Sequence, residues 1–151
     1  MEGEQILSGG PGGISITLAP GAEEAGLASM QAEMIKTNLE NKPERVKDFK
    51  KLKGTVWITA DDADVQMTMK FDNGSLVVHK GLVGTPMLEI TTDASTLMDL
   101  AKVSIRYGMP WYFDDVGKMV IKKLWKKELK IKGMFAHNMT LTHLTKVMSV
   151  K

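Results

Sequence analysis

The sequence predicts an α+β domain: a five-stranded, mostly antiparallel sheet with helices over one face. Three observations carry that expectation. Between residues 55 and 91 apolar and polar side chains alternate with a period of two, as in strands that bury one face. Asn73-Gly74 interrupts the alternation where a tight hairpin needs two residues with positive φ. On either side, apolar residues recur at helical spacing, over residues 22–52 and again over 113–147. An apolar sheet face must be covered, and these helices can cover it.

In chain order, residues 1–21 are glycine-rich, with Pro11 and Pro20 bracketing an alternating Ile14-Ser15-Ile16-Thr17-Leu18. They are expected to form a flexible segment outside the domain, with at most a short edge strand. No Lys-Ser/Thr follows the glycines, so a phosphate loop is not indicated. Leu27, Met30, Met34 and Ile35 predict a helix from Ala22 to about Asn41. Pro43 opens a second, with Val46, Phe49 and Leu52 on one face until Gly54 ends it. Val56 and Ile58 mark the first strand, Val65, Met67, Met69 and Phe71 the second, Leu76 to Lys80 the third, and Met87 to Thr91 the fourth. Asp93 or Thr92 can cap a short helix carrying Leu97, Met98 and Leu100. An aromatic stretch follows, with Tyr107, Met109, Trp111, Tyr112 and Phe113 around Pro110.

Residues 118–132 then hold seven lysines, and the first three turns set them apart from an apolar stripe of Phe113, Val116, Val120, Ile121 and Leu124. This is an amphipathic basic helix, begun favourably by Asp114-Asp115 at its positive dipole end. Leu129 and Ile131 mark the fifth strand, and Phe135, Met139, Leu141, Leu144 and Val147 the last helix.

Charge is segregated along the chain. Residues 1–100 carry nine basic and fifteen acidic side chains and residues 101–151 eleven and three, so a net charge of +2 conceals ends of −6 and +8. Such a dipole speaks of an anionic partner at one end. A chain of 151 residues can bury a core as one domain without staples. With no cysteine, no signal-like start and no apolar run long enough to span a bilayer, it is expected to be cytoplasmic. Twelve methionines against nine aromatic residues suit either ordinary core gaps or a surface that adapts to apolar shapes.

Catalytic constellations are scarce. His137 and His143 lie six apart and His79 sits on a strand, without a glutamate at ligand spacing. Asp61, Asp62 and Asp64 lack the glycine and distal glutamate of a calcium loop and read as a solvated turn. No nucleophile elbow is present. Neither an enzymatic activity nor a cofactor nor a metal is expected. Only Arg45 and Arg106 supply guanidinium groups and no RNA-binding motif is visible, so nucleic acid is not expected as a partner.

Leu129-Lys130-Ile131-Lys132-Gly133, followed by Met139, Leu141 and Leu144, resembles the C-terminal signature of the sterol carrier protein type (SCP2-like) lipid-transfer domain. Leu39 to Thr59 resembles that family's helix leading into its first strand. The Asn73-Gly74 turn and Leu88-Glu89-Ile90-Thr91, with Leu97, Met98 and Leu100, match its next features. The likeness covers about residues 37–102 and 126–150. Two departures stand out: residues 1–21 have no counterpart, and the connection from Lys102 to Lys126 is longer than the family's. The resemblance implies the sterol carrier protein fold, with an apolar tunnel between sheet and helices for a sterol, fatty acyl or isoprenoid/quinone-type lipid. Some bacterial relatives are accessory factors in quinone biosynthesis.

On that basis the expected tunnel lining is Met67, Met69, Phe71, Leu88, Ile90, Met134, Phe135 and Met139, with Met109, Trp111 and Phe113 from the longer connection. For each, plain core packing is the alternative. The helix from Asp114 to Lys127 is expected to dock an anionic membrane through Lys118, Lys122, Lys123 and Lys126, with Trp111, Tyr112 and Trp125 at headgroup level. Its alternative is a helix packed on the domain with lysines in water. A further reading makes the protein a scaffold whose basic end holds an acidic protein partner, such as a lipid- or quinone-modifying enzyme.

Overall fold

The computed structural model describes residues 5–9, 14–24, 26–106 and 109–150, with backbone alone for residues 5–9, 23 and 109. The features expected at residues 1–4 and 10–13 and at Tyr107 lie outside the described residues. One sheet contains β1 (Gln5–Gly9), β2 (Ser15–Leu18), β3 (Lys53–Ala60), β4 (Val65–Asp72), β5 (Ser75–Lys80), β6 (Leu88–Thr92) and β9 (Lys130–Lys132). A separate small hairpin pairs β7 (Ile105–Arg106) with β8 (Met109–Pro110). The helices are α1 (Gly26–Asn41), α2 (Val46–Lys51), α3 (Ala94–Leu100), α4 (Asp115–Trp125) and α5 (Asn138–Met148).

Across the sheet the order is β1-β2-β5-β4-β3-β6-β9. Four neighbouring pairs are antiparallel, whereas β2–β5 and β3–β6 are parallel. The expected α+β architecture is present, and all five expected strands are in it. Asn73 and Gly74 adopt φ of 46° and 111°, as a tight β4–β5 hairpin requires. Alternation places Val56, Ile58, Met67, Met69 and Phe71 in the core beneath the helices. Thr68 points the other way yet is buried. Its hydroxyl donates to the Gly81 carbonyl (2.8 Å) and accepts from the Val83 amide (3.0 Å), tying residues 81–83 over the outer face.

Among the described residues the sheet has seven strands rather than five, because residues below 22 supply two. The expected boundary at residue 22 is therefore crossed by the sheet. Ile14, Ile16 and Leu18 are buried, and the Ser15 amide donates to the Gly74 carbonyl at 2.9 Å. β2 is not an edge strand either, since β1 flanks it.

Two helix boundaries also differ from expectation. Gly54 does not end α2: the chain is already extended at Leu52, and Gly54 lies within β3 with φ 129°, where the Met87 side chain fills the space a Cβ would occupy. α5 begins at Asn138 instead of near Phe135, because Gly133, with φ 88°, opens a turn that runs through His137. The helical spacing of Phe135 and Met139 thus spans a turn and a first helical turn.

Candidate functional site

An apolar cavity of about 210 Å³ lies between the β6–β9 end of the sheet and helices α3, α4 and α5. Ile90 and Ile131 form its floor. Leu97 and Leu100 come from α3, with Val103 beyond it, and Val120, Ile121 and Leu124 from α4. Leu141, Leu144, Thr145 and Met148 of α5, with Tyr112 and Met134, complete the wall. Voids of this size are rare in close-packed interiors. At about 24 cal/mol per Å³, a fully enclosed void of that volume would forgo roughly 5 kcal/mol of packing; partial opening to solvent reduces this.

Helix caps fix two walls. Asp93 caps α3, accepting from the Thr96 amide at 2.6 Å, and Asp114 caps α4, accepting from the Gly117 amide at 2.8 Å. Both carboxyls are held below their ordinary range, first of all by those backbone hydrogen bonds. Ile121, Leu124 and Met134 face both the cavity and an adjoining open groove, whose other walls are Trp125 and Phe135.

Polar groups are few at the cavity. Thr145 donates its hydroxyl to the Leu141 carbonyl (2.8 Å). Burial pushes the Tyr112 phenol above its ordinary pKa. Behind the wall, α5 is clamped to α2: one oxygen of buried Asp48 lies 2.8 Å from His143 Nδ1 and 2.9 Å from Lys146 Nζ. Burial alone would raise the Asp48 pKa, but hydrogen bonds from Lys146 and His143 outweigh it and lower the value. This clamp was not visible in the sequence, where His143 reads as an ordinary histidine. Among the described residues no cluster of His, Asp and Glu could hold a metal ion.

The expected lipid-lining residues are scattered, and Trp111 among them is half-buried outside the cavity. Ile90 and Met134 line the cavity, and Phe135 lines the outer groove. Met67, Met69, Phe71 and Leu88 are buried in the core and do not line the cavity, Phe71 lying edge-on to Phe49 with ring centres 6.1 Å apart. Met139 and Phe113 are exposed. Phe113 meets Trp111 edge-on at 5.2 Å, and Arg106 lies over the Trp111 ring at 5.3 Å. The Met109 side chain lies outside the described residues. Half of the wall comes instead from Leu, Ile and Val on α3, α4 and α5, which helical spacing marks only as inward.

The basic helix divides similarly. Lys118, Lys122 and Lys126 are exposed, as is Trp125. Lys123 turns towards α3, donating to Thr96 Oγ1 at 2.7 Å with Asp93 at 4.0 Å. No helix among the described residues is long and apolar enough to cross a membrane.

No family model and no curated protein matches the chain by sequence. The backbone is more informative. A ubiquinone synthesis protein, UbiJ-SCP2, superposes with a TM-score of 0.59 over 83% of this chain and 95% of its own, at 12% identity. The chain has an SCP2-like fold. A conserved hypothetical protein of Thermus thermophilus, a suggested sterol carrier, matches at 12% identity over 74% and 78% of the two chains with a TM-score of 0.39, too loose to carry weight. Within this fold the cavity lies between the sheet and the helices.

Proposed function

We propose that this protein binds the hydrocarbon part of a lipid in the cavity beneath α4 and carries it between membranes without chemical change. The observation that carries this reading is the apolar cavity of about 210 Å³ at one end of the sheet. An engineered apolar cavity of about 150 Å³ accepts benzene. By the same measure this one takes about eight carbons of an acyl or isoprenoid chain. Burial gains about 0.8 kcal/mol per CH₂, roughly 6 kcal/mol in all, but a bilayer offers the same gain. Exchange with a membrane is then nearly neutral, which suits a carrier.

A carrier must meet the membrane, and α4 is the element suited to it. Lys118, Lys122 and Lys126 are free to face an anionic leaflet, each contributing about 1 kcal/mol at the surface. The SCP2-like fold supports the lipid reading. A second reading draws on the same basic end and on the neighbour UbiJ-SCP2, a ubiquinone synthesis protein: a non-catalytic accessory role that holds an acidic protein partner.

Native mass spectrometry of protein from its own host tests the first reading. Retained lipid, or saturable uptake of dodecanoate by delipidated protein, supports it. Protein that comes out empty and takes up no dodecanoate defeats it.

A further inference from the structure

We infer that the lipid enters and leaves through the groove between Trp125 and Phe135, and that these two side chains insert into the bilayer while the α4 lysines hold its anionic surface. This rests on the carrier reading above.

Continuity comes first. Ile121, Leu124 and Met134 line both the cavity and the groove, so a chain that displaces these side chains on leaving the cavity emerges between Trp125 and Phe135. The groove sits where two elements end: Trp125 is the last residue of α4, and Phe135 lies in the turn between β9 and α5. Separating them would open a path without breaking a sheet hydrogen bond.

Exposure is the second observation. Trp125 is 83% and Phe135 88% exposed, and Met139 adds another exposed apolar side chain one turn further on. Single exposed apolar residues are ordinary, but large ones bordering a groove that shares a wall with an apolar cavity mark an interaction site. Tryptophan in particular favours the membrane–water interface, where its ring is apolar and its N–H stays wet.

Charge selects the occupant. On the helix surface, Lys118, Lys122 and Lys126 follow at intervals of four, and Trp125 lies between that row and Ile121. Lys127 follows directly, and Lys130 and Lys132 are exposed on β9, the strand that leads to the Phe135 turn. An apolar wedge flanked by lysines fits an anionic bilayer, with interior for the rings and headgroups for the ammonium groups.

Vesicles of phosphatidylcholine and phosphatidylglycerol with brominated acyl chains provide the test. Full-length protein should bind them in a salt-sensitive manner, and bromine should quench tryptophan emission in the wild type far more than in Trp125→Phe. Trp125→Ser with Phe135→Ser should weaken vesicle binding at least tenfold and slow dodecanoate release to vesicles at least as much. Both side chains are exposed, so the variant should keep its Tm. Failure of the wild type to take up dodecanoate would defeat the carrier reading and the entrance with it. Uptake and release indifferent to both substitutions would overturn the entrance alone. So would a patch that instead pairs two copies of the chain, seen as a dimer in sedimentation that the serine variant abolishes, with no vesicle binding.

Discussion

Gly117, on the first turn of α4, lies directly against the backbone of Tyr112: a Cβ at position 117 would collide with the Tyr112 α-carbon and stand 2.6 Å from the Trp111 carbonyl oxygen. That approach seats α4 on the cavity, because Tyr112 and Val120 belong to the same wall. Backbone cannot yield as a flexible side chain does. Gly117→Ala should therefore push the helix outward, destabilising the fold by about 1–3 kcal/mol despite alanine's better helix propensity. Chemical denaturation measures the loss, and faster hydrogen exchange confined to α4 would show where it falls.

Asp48 gives the fold an acid limit. Its folded pKa lies below the unfolded value, so the native state holds the proton less tightly and the carboxylate contributes stability above about pH 4. That contribution is lost as pH falls through the folded value. Asp48→Asn should lose about 2–3 kcal/mol at neutral pH, because the amide accepts more weakly and leaves the partly buried Lys146 without its counter-charge. Between pH 5 and pH 3 the gap between variant and wild type should narrow. Denaturant midpoints across that range check both size and sign.

The four lysines expected to dock should separate into two behaviours. Reversal of Lys118, Lys122 and Lys126 to glutamate should lower binding to phosphatidylglycerol vesicles by more than tenfold, about fivefold being the share of each lost lysine at the surface. Lys123 faces Thr96 and Asp93 instead. Lys123→Gln should affect vesicle binding less than Lys122→Gln does, and lower Tm by about 1–4 °C through loss of the α3–α4 contact. Co-sedimentation with vesicles and thermal unfolding read the two effects separately.

The strands of the meander were legible because period-two alternation and Asn73-Gly74 are local signals. The alternation of Ile14 to Leu18 allowed a short edge strand, but the place of β2 inside the sheet was not legible: its partner β5 lies sixty residues away and parallel, so no hairpin signal joins Ser15 to Ser75. Phe135 was misplaced in the last helix because it stands four residues before Met139, and spacing cannot reveal that Gly133 turns the chain between strand and helix. Periodicity told that Leu97, Val120 and Leu144 face inward. It could not tell whether the side chains opposite them meet, since a cavity is a property of facing surfaces from α3, α4 and α5. For the same reason the inward methionines of β4 looked as suitable for a tunnel as Ile90, yet only Ile90 lies on the wall.

The cavity can be tested by filling it. Val120 is buried on α4 and lines the hollow, so a larger side chain there has unoccupied space to grow into. Overpacking a filled core typically costs about 1–3 kcal/mol, whereas extending into a void recovers dispersion contacts at about 24 cal/mol per Å³. Val120→Phe should therefore hold or raise Tm while lowering dodecanoate affinity at least tenfold, since each CH₂ displaced forfeits about 0.8 kcal/mol. Met69→Leu, in closed core on β4, serves as the control: a near volume-conserving change of less than about 1.5 kcal/mol that leaves dodecanoate uptake intact. A phenylalanine at 120 that unfolds the protein without affecting the uptake of what remains folded would mean that no usable space exists beneath α4.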